Sequence, residues 1–314
     1  MDQSIVTITI NPSLDKFTTI KHVVPNDKLR CNLPVYQAGG GGINVSRAIR
    51  RLGGSSMAIF PFGGSNGAIL KSIIEEKSID HQGIPIEDAT RENFTVFEQE
   101  ADQAFRFVMP GPYIQEDEWQ TTLNTLASIE PSPDYIVASG STPRGVPDDF
   151  YLLIAEIAHK LGSRLIIDTS GKPLELAVEE GAFLLKPNIR ELGQLAGMVI
   201  ESEDQEIEVA KDLVRSGGTE VVVVSLGAGG AMLVTSDQVE QLRTPTVPIR
   251  SKLGAGDSMV AGIVLSLAKG WGIKDAVLYG NAAGAATVMT DGTQLCIKKD
   301  ADRLFNRLKS KPSE

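Results

Sequence analysis

Hydrophobic residues along the chain alternate between short continuous runs and runs with helical spacing, the pattern of β-strands followed by α-helices. In the first third, the pattern predicts strands at 5–10 and 57–62 and helices at 43–52 and 68–77. Further on, it predicts strands at 135–138, 165–167 and 183–185 and helices at 149–161 and 173–180. Continuous apolar strands such as 221–224 are typical of a parallel sheet covered on both faces. The sequence therefore predicts an α/β domain built on a parallel sheet.

Two stretches depart from this alternation. Short β-prone runs at 17–24 and 33–36 have no helix between them, and residues 94–108 have the pattern of a hairpin around a polar turn at 100–103. We expect one small antiparallel sheet, formed by two insertions at about 16–38 and 91–109, within a single domain that spans residues 1–314. After about Gly254 the pattern is helical, with helices at 257–268, 274–290 and 301–308.

Composition and charge narrow the class of protein. The 314 residues are 42% hydrophobic and 22% charged, as in folded domains with a substantial core, which excludes disorder, collagen and coiled coil. The net charge of -10 repels phosphate backbones and anionic lipids, so nucleic-acid and membrane partners are not expected. Two cysteines, Cys31 and Cys296, lack the spacing of a zinc or redox site. No secretion or membrane-spanning pattern is present, and we expect a cytoplasmic protein.

The strongest local motif is Gly254-Ala255-Gly256-Asp257, directly before an apolar helix. Glycines at a helix start let backbone N–H groups point to one place, and the helix dipole adds positive potential there, which together form an anion hole. A carboxylate beside such a hole suits the orientation and deprotonation of a hydroxyl that attacks a phosphate. Asp257 is equally suited to cap the helix, so both interpretations stay open.

A run of four glycines, 39–42, also leads into a helix. Bare backbone at Gly40 and Gly41 admits a ligand closely, and Asn44 can bind it from the first turn; a hinge is the alternative. Asp15 follows the first strand, where ligands bind in open α/β sheets, and is a candidate for hydroxyl recognition or a solvated turn residue.

Two further segments follow strands and suit a nucleotide. They are Lys186-Pro187-Asn188 with Glu191, and the glycine-rich segment from Ser225 to Gly230. Neither a GxxxxGK[ST] nor a GxGxxG motif is present, so a nucleotide must be held differently. On the predicted small sheet, arginine and lysine side chains are candidates for capture of a substrate phosphate, although each taken singly also fits a surface charge. These residues are Lys28, Arg30, Arg91 and Arg106.

A competing hypothesis is a serine hydrolase. Residues 63–67 match GxSxG between a strand and a helix, with Ser65 at the nucleophile position. A hydrolase needs a histidine later in the chain, and His81 and His159 are available. Because His159 lies within a helical pattern and no HGGG-type oxyanion motif is present, a tight structural turn is the better interpretation of this motif.

The segments NPSLD, GGGGINVSRAIRRLG, LLKPNIREL, VVVVSLGAGGA and LGAGDSMVAG, in this order, resemble the ribokinase-like sugar kinases of the PfkB family. The segments PNDKLRCNLPVYQ, FRFVMPG, SGSTPRGV and GTQLC are similar to its 6-phosphofructokinase group. The resemblance implies a three-layer α/β/α domain with a β-sheet lid that pairs with a second subunit's lid in a homodimer. It implies ATP-dependent phosphorylation of fructose 6-phosphate, with tagatose 6-phosphate or fructose 1-phosphate as alternative acceptors and a non-catalytic sugar-phosphate sensor as another class.

The resemblance also implies roles for single residues. Asp257 takes the hydroxyl proton, and the amides of Gly254, Ala255 and Gly256 stabilise the transferred group. The ATP phosphates and magnesium lie near Lys186, Asn188 and the metal ligand Glu191, and the nucleotide is bordered by Ser225, Gly227, Gly230 and Asn281. The sugar is bound by Asp15, Gly40, Gly41, Asn44 and Ser141, with Arg91 on its phosphate and Lys28, Arg30 and Arg106 as further lid contacts.

Several positions depart from the family pattern or sharpen it. At Gly41, 1-phosphofructokinases and tagatose-6-phosphate kinases typically have lysine. Lys252 and Gln294 differ from the residues of relatives, and these differences count against activation by potassium. Val24 replaces a tyrosine of close relatives, and this difference counts against inhibition by a second ATP. For Asp257, we expect the helix N-terminus to lower the pKa and to keep the carboxylate ionised at neutral pH.

Overall fold

A nine-stranded sheet forms the centre of the molecule, in a computed structural model that describes residues 4–310. Its strands are β1 (Ile5–Ile8), β4 (Met57–Phe62), β5 (Asp80–Pro85), β8 (Tyr135–Ser139), β9 (Arg164–Asp168), β10 (Ala182–Leu185), β11 (Thr219–Ser225), β12 (Ala231–Val234) and β13 (Val239–Leu242). They lie in the order β13-β12-β11-β10-β9-β8-β1-β4-β5, and all run parallel except β12, which is antiparallel to both of its neighbours, β11 and the edge strand β13. Residues 1–3 and 311–314 of the predicted domain lie outside the described residues.

Helices cover both faces of this sheet, which confirms the predicted three-layer architecture. One face carries α1 (Gly41–Arg51), α2 (Gly64–Glu76), α8 (Ala255–Ala268), α9 (Ile273–Val288) and α10 (Lys298–Lys309). The other carries α3 (Glu116–Ala127), α4 (Phe150–Leu161), α5 (Lys172–Glu180), α6 (Ile189–Leu195) and α7 (Glu203–Arg215). Within residues 4–310, no helix is long and apolar enough to cross a membrane.

The continuous apolar strands follow from this layering. On β11, Val221 and Val223 pack into the cluster formed with α8 and α9, whereas Val222 and Val224 pack against α6 and α7. Because successive side chains of a strand point to opposite faces, a sheet buried on both faces needs apolar residues at every position.

A second, four-stranded sheet stands beside the carboxyl ends of the central strands. It consists of β2 (Ser13–Ile20), β3 (Val35–Gly39), β6 (Arg91–Glu98) and β7 (Gln103–Phe107), in the order β3-β2-β6-β7. The sequence predicted a wholly antiparallel small sheet. This prediction was wrong for one pair of strands, because β2 and β6 pair in parallel. The reason is that β2 follows β1 and β6 follows β5, and both of these strands leave the central sheet in the same direction.

Candidate active site

The carboxyl ends of β1, β8, β9, β10 and β11 lie at one edge of the central sheet because these strands are parallel. The chain order reverses between β8 and β1, and ligands of open α/β sheets bind in the crevice at such a switch point. The residues predicted from the sequence lie at this edge, since Asp15 follows β1, Ser141 follows β8, Lys186 follows β10 and Ser225 ends β11. The topology therefore brings together the sugar and nucleotide candidates.

Two helix N-termini converge on this crevice. Asn44, in the first turn of α1, donates from Nδ2 to Oδ2 of Asp257, in the first turn of α8, over 2.9 Å. Gly254 precedes α8 in the left-handed region, with a φ of 73°. The first-turn N–H groups of a helix have no acceptor within the helix, so α8 presents donors beside the carboxylate, as an anion hole requires.

The glycine run allows α1 to approach the strand ends closely. Gly40 has a φ of 110°, which favours glycine, and a Cβ at Gly42 would lie 2.5 Å from the carbonyl oxygen of Ile8. A Cβ at Gly41 would overlap Oγ of Ser139 at the end of β8. The run is thus packed against the crevice wall, and a side chain at these positions would move α1 and Asn44.

The pKa of Asp257 differs from the sequence-based expectation. Burial in the cleft and the nearby carboxylate of Asp168 raise this pKa to about 6, although the bond from Asn44 and the charges of Lys186 and Arg47 act to lower it. The expectation of a lowered pKa was wrong, because it considered the helix N-terminus alone and omitted desolvation and a second carboxylate from a distant strand. Asp257 is still mostly ionised at neutral pH, and it is a stronger base than an exposed aspartate.

Asp168, at the end of β9, is a site residue that the sequence analysis did not single out. Its Oδ1 lies 3.0 Å from Nζ of Lys186, whose side chain is 8% exposed. Burial alone would lower the pKa of Lys186, but the charge and hydrogen bond of Asp168, together with the charges of Glu191 and Asp257, outweigh it and raise the pKa. A Cβ at Gly256 would lie 3.7 Å from the same Nζ, so the ammonium group lies beside the start of α8. The position of Asp168 directly after an apolar run was the one available indication in the sequence.

Asn188 and Glu191 form a capping box at the start of α6. Oδ1 of Asn188 accepts from the backbone N–H of Glu191, and Oε2 of Glu191 accepts from the backbone N–H of Asn188, both over 2.9 Å. This arrangement fixes the Glu191 carboxylate at the end of β10 and uses one of its two oxygens. Among residues 4–310, no group of three or more acidic, histidine or cysteine side chains could hold a metal ion by itself.

The glycine-rich loop after β11 lies beside this cap. The backbone N–H of Ser225 donates to the carbonyl oxygen of Pro187 over 2.8 Å. Gly227 begins a 3-10 turn, and Gly230 has a φ of 99° in close contact with Leu242. Asn281, predicted beside the nucleotide, is buried on α9 and donates to the carbonyl oxygen of Leu242 over 2.9 Å. The structure therefore gives the amide of Asn281 a backbone partner next to the loop.

The sugar-side candidates are held by hydrogen bonds within the small sheet and from the segment between β1 and β2. Asp15 accepts from Oγ of Ser13 over 2.7 Å and from Nδ2 of Asn93 over 2.9 Å, and Oγ of Ser141 accepts from Nδ2 of Asn11 over 3.1 Å. These bonds hold the Asp15 carboxylate and the Ser141 hydroxyl in fixed positions near the crevice.

Four basic candidates separate into one that is built into the fold and three that are exposed. The guanidinium of Arg91 donates to three backbone carbonyl oxygens, those of Asn11 (2.9 Å), Pro12 (3.4 Å) and Met109 (3.3 Å). Burial lowers its pKa. The side chains that remain exposed on the small sheet and its loop are those of Lys28, Arg30 and Arg106.

The hydrolase alternative gains no support from the geometry. Ser65 is exposed in the first turn of α2. His81 lies on β5, where its ring stacks on Phe60 with centroids 5.9 Å apart and its Nε2 faces Glu75. Within the described residues, the hydrogen-bond partners of His81 do not include Ser65.

Comparison with known proteins adds four findings. Residues 8–300 match the family described as pfkB family carbohydrate kinase. The chain is 42% identical over 310 residues to the ATP-dependent 6-phosphofructokinase isozyme 2 of Mycobacterium tuberculosis (strain H37Rv), covering 99% of this chain and 91% of that protein. It is 31% identical over 287 residues to the 1-phosphofructokinase of Bacillus subtilis (strain 168), covering 91% of this chain and 93% of that protein. The crystal structure of phosphofructokinase-2 from Escherichia coli in complex with potassium superposes with a TM-score of 0.94 at 39% identity, covering 98% of this chain and 99% of that one.

Proposed function

The chain belongs to the pfkB family of carbohydrate kinases, and we propose that it transfers the γ-phosphoryl group of ATP to fructose 6-phosphate, giving fructose 1,6-bisphosphate and ADP. The observation that carries the chemistry is the Asn44–Asp257 hydrogen bond, which holds a partly buried carboxylate at the convergence of two helix N-termini. The choice of acceptor is supported by the 42% identity to a 6-phosphofructokinase, compared with 31% to a 1-phosphofructokinase.

Asp257 orients the acceptor hydroxyl and takes its proton as the new P–O bond forms. Oδ2 is bonded to Asn44, so Oδ1 is the oxygen that faces the hydroxyl. The bond between the γ-phosphorus and the bridging oxygen breaks, and its electron pair leaves with ADP. The N–H groups of Gly254, Ala255 and Gly256 and the ammonium of Lys186 stabilise the charge on the transferred group.

Magnesium suits the donor side of this site. Mg²⁺ is usually bound by one or two carboxylates, several waters and the substrate phosphates, and the absence of a three-ligand cluster among residues 4–310 agrees with that mode. Glu191, oriented by its capping box, is the proposed ligand, next to Asn188 and Lys186 on the phosphate side. When bound, magnesium neutralises charge on the donor phosphates. The loop formed by Ser225, Gly227 and Gly230 borders the nucleotide in this proposal.

The small sheet is proposed to act as a lid over the sugar. Asp15, Asn44 and Ser141, with the backbone of Gly40 and Gly41, bind the hydroxyl groups. Arg91 binds the sugar phosphate through the guanidinium N–H groups that are not hydrogen-bonded to backbone carbonyl oxygens. The exposed side chains of Lys28, Arg30 and Arg106 supply further positive charge. Lys252 and Gln294 predict against activation by potassium, Val24 predicts against inhibition by a second ATP, and a cytoplasmic location is likewise a prediction.

The lid is also the proposed dimer contact. Large apolar side chains are exposed on its strands and on the adjoining segments, namely Leu33 (93%), Val35, Tyr36, Phe107 and Val108. An exposed apolar surface of this kind is typical of an interface between subunits. We therefore propose a homodimer in which two lids pack against each other.

The proposal is tested by ADP release from ATP with fructose 6-phosphate, tagatose 6-phosphate and fructose 1-phosphate in parallel. The expected result is a kcat/KM for fructose 6-phosphate at least about a hundredfold above those of the other two sugars. A preference for another sugar would contradict the assigned acceptor, and sugar binding without ADP release would favour the sensor.

A further inference from the structure

A half-buried guanidinium group lies between the small sheet and the proposed catalytic base. Arg47, on α1 one turn after Asn44, donates from Nη1 to Oδ1 of Asn44 over 2.9 Å. The same nitrogen donates to the carbonyl oxygen of Ala38 over 2.7 Å, and Nη2 donates to Oε1 of Gln37 over 2.5 Å. Ala38 and Gln37 belong to β3, the strand that leads into the glycine run. One side chain therefore contacts the small sheet and the site.

Arg47 determines which way the Asn44 amide points. A guanidinium group has five N–H donors and no acceptor, so only the oxygen of the amide can face it. An ionised carboxylate only accepts, so the nitrogen of the amide must face Asp257. Burial lowers the pKa of Arg47 to about 10, and the group is positively charged at neutral pH. Without Arg47, the amide could turn its oxygen toward the carboxylate, which would repel it.

We propose that Arg47 is a positioning residue of the kinase: it fixes the Asn44 amide so that Nδ2 donates to Asp257, and it makes this orientation depend on the position of β3. The inference rests on the proposed function, since it concerns the same base. It assigns to the arginine a role in the reaction through its hydrogen bonds to Asn44, Ala38 and Gln37, and it provides a physical connection from the lid strand to the reacting carboxylate.

The charges around the base determine which measurement reveals this role. Four residues from other elements face Asp257: Asp168 at the end of β9, Lys186 in the segment after β10, and Asn44 and Arg47 on α1. Loss of Arg47 removes one positive charge and, through Asn44, one hydrogen bond to the carboxylate, while the opposing effect of Asp168 stays. Both losses favour the protonated form of Asp257. The acid limb of the pH dependence of kcat/KM must then move to higher pH.

A purely structural role gives a different result. If Arg47 only ties β3 to α1, its removal lowers the free energy of unfolding and the amount of active enzyme. The acid limb of the molecules that remain folded then stays in place. The position of the limb therefore separates the two roles, whereas a decrease in activity by itself does not.

The experiment measures kcat/KM for ATP and fructose 6-phosphate between about pH 5 and 8 for the wild type, Arg47→Met and Arg47→Lys. Arg50→Met is the matched control, because Arg50 is exposed on the same helix. For Arg47→Met we expect a shift of the acid limb upward by about half a pH unit or more and a decrease in kcat of roughly tenfold to a hundredfold. Arg47→Lys keeps the positive charge but lacks the planar, multiply donating guanidinium group. Its acid limb and its kcat should therefore lie between those of Arg47→Met and the wild type.

A double-mutant cycle tests whether Arg47 acts through Asn44. Once Asn44→Ala has removed the amide, adding Arg47→Met should cause a smaller further shift of the limb than Arg47→Met causes in the wild type. An unmoved limb in Arg47→Met, or a shift that is fully additive to that of Asn44→Ala, overturns the inference. The proposed function fails separately, through a wild type that releases no ADP with any of the three sugars.

Discussion

The carboxyl group of Asp257 illustrates how a local motif acquires its chemistry from distant residues. Burial and Asp168 favour the protonated form, whereas the hydrogen bond from Asn44 and the charges of Lys186 and Arg47 favour the ionised form. The balance gives a pKa of about 6, which keeps most of the group ionised at neutral pH while making it a better proton acceptor than an exposed aspartate. The four segments that supply these groups, α1, α8, the end of β9 and the segment after β10, meet only in the folded chain.

The first prediction concerns this balance. Because the base must be unprotonated, kcat/KM should fall as the pH decreases through about 6. Asp168→Asn removes a negative charge near Asp257, so the pKa of Asp257 decreases and the acid limb moves to lower pH. The measurement is the pH dependence of kcat/KM, with the exposed Asp237→Asn as a control that should leave the limb in place. A shift of the Asp168→Asn limb to higher pH would contradict the electrostatic explanation.

At the scale of elements, the position of the site depends on the packing of α8. Residues 258–267 of this helix are all buried, and the helix lies directly against α9. A Cβ at Gly262 would lie 2.9 Å from Cα of Gly280 on α9 and 3.1 Å from Cβ of Ala283. Glycine at this crossing lets the two helices approach closely, and the close packing fixes the N-terminus of α8 in the crevice.

The second prediction tests that packing. Gly262→Ala should lower the free energy of unfolding by about 1–3 kcal/mol, because overpacking outweighs the better helix propensity of alanine. Urea unfolding measures the change. The matched control is Gly272→Ala, where a Cβ meets no atom within 4 Å, and its effect should stay below about 1 kcal/mol. Equal effects of the two substitutions would show that the crossing is not tight.

Helices and strands could be predicted from the sequence where burial in the core requires a regular spacing of apolar residues. The strands at 57–62 and 135–138 and the helices at 149–161 and 257–268 were predicted within a few residues, because apolar spacing marks elements buried in the core. The edge strand β5 (DHQGIP) and the mostly polar α7 (EDQEIEVAKDLVR) have weak patterns, since each buries few residues, and were not predicted. At the site, motifs predicted Asp257 and Lys186, whereas Asp168 and Arg47 were missed because their roles depend on residues from other segments.

At the scale of the whole molecule, the apolar side chains on the small sheet are left exposed by the rest of the described structure. Covering them with the same surface of a second subunit would fix the lid from both sides. Because β3 also carries the groups that hold Arg47, packing between subunits would act on the same strand.

The third prediction concerns this surface. Leu33→Asp should raise the dissociation constant of the homodimer at least about tenfold, because a charge replaces an apolar side chain in the contact. Sedimentation velocity over a range of protein concentrations measures it. Val199→Asp is the control, since Val199 is 78% exposed in the loop between α6 and α7. A wild type that is monomeric throughout, or equal constants for both variants, would contradict the lid interface.

The central claim is that the Asp257 carboxylate performs the proton transfer in phosphorylation of the sugar. Its most direct test is the kcat of Asp257→Asn with ATP and fructose 6-phosphate at neutral pH, together with ATP affinity and the unfolding transition. The amide is nearly isosteric but is not a base, so kcat should fall by roughly 10²–10⁴-fold, while ATP binding and folding stay near those of the wild type. A variant that retains near-normal turnover would contradict the account.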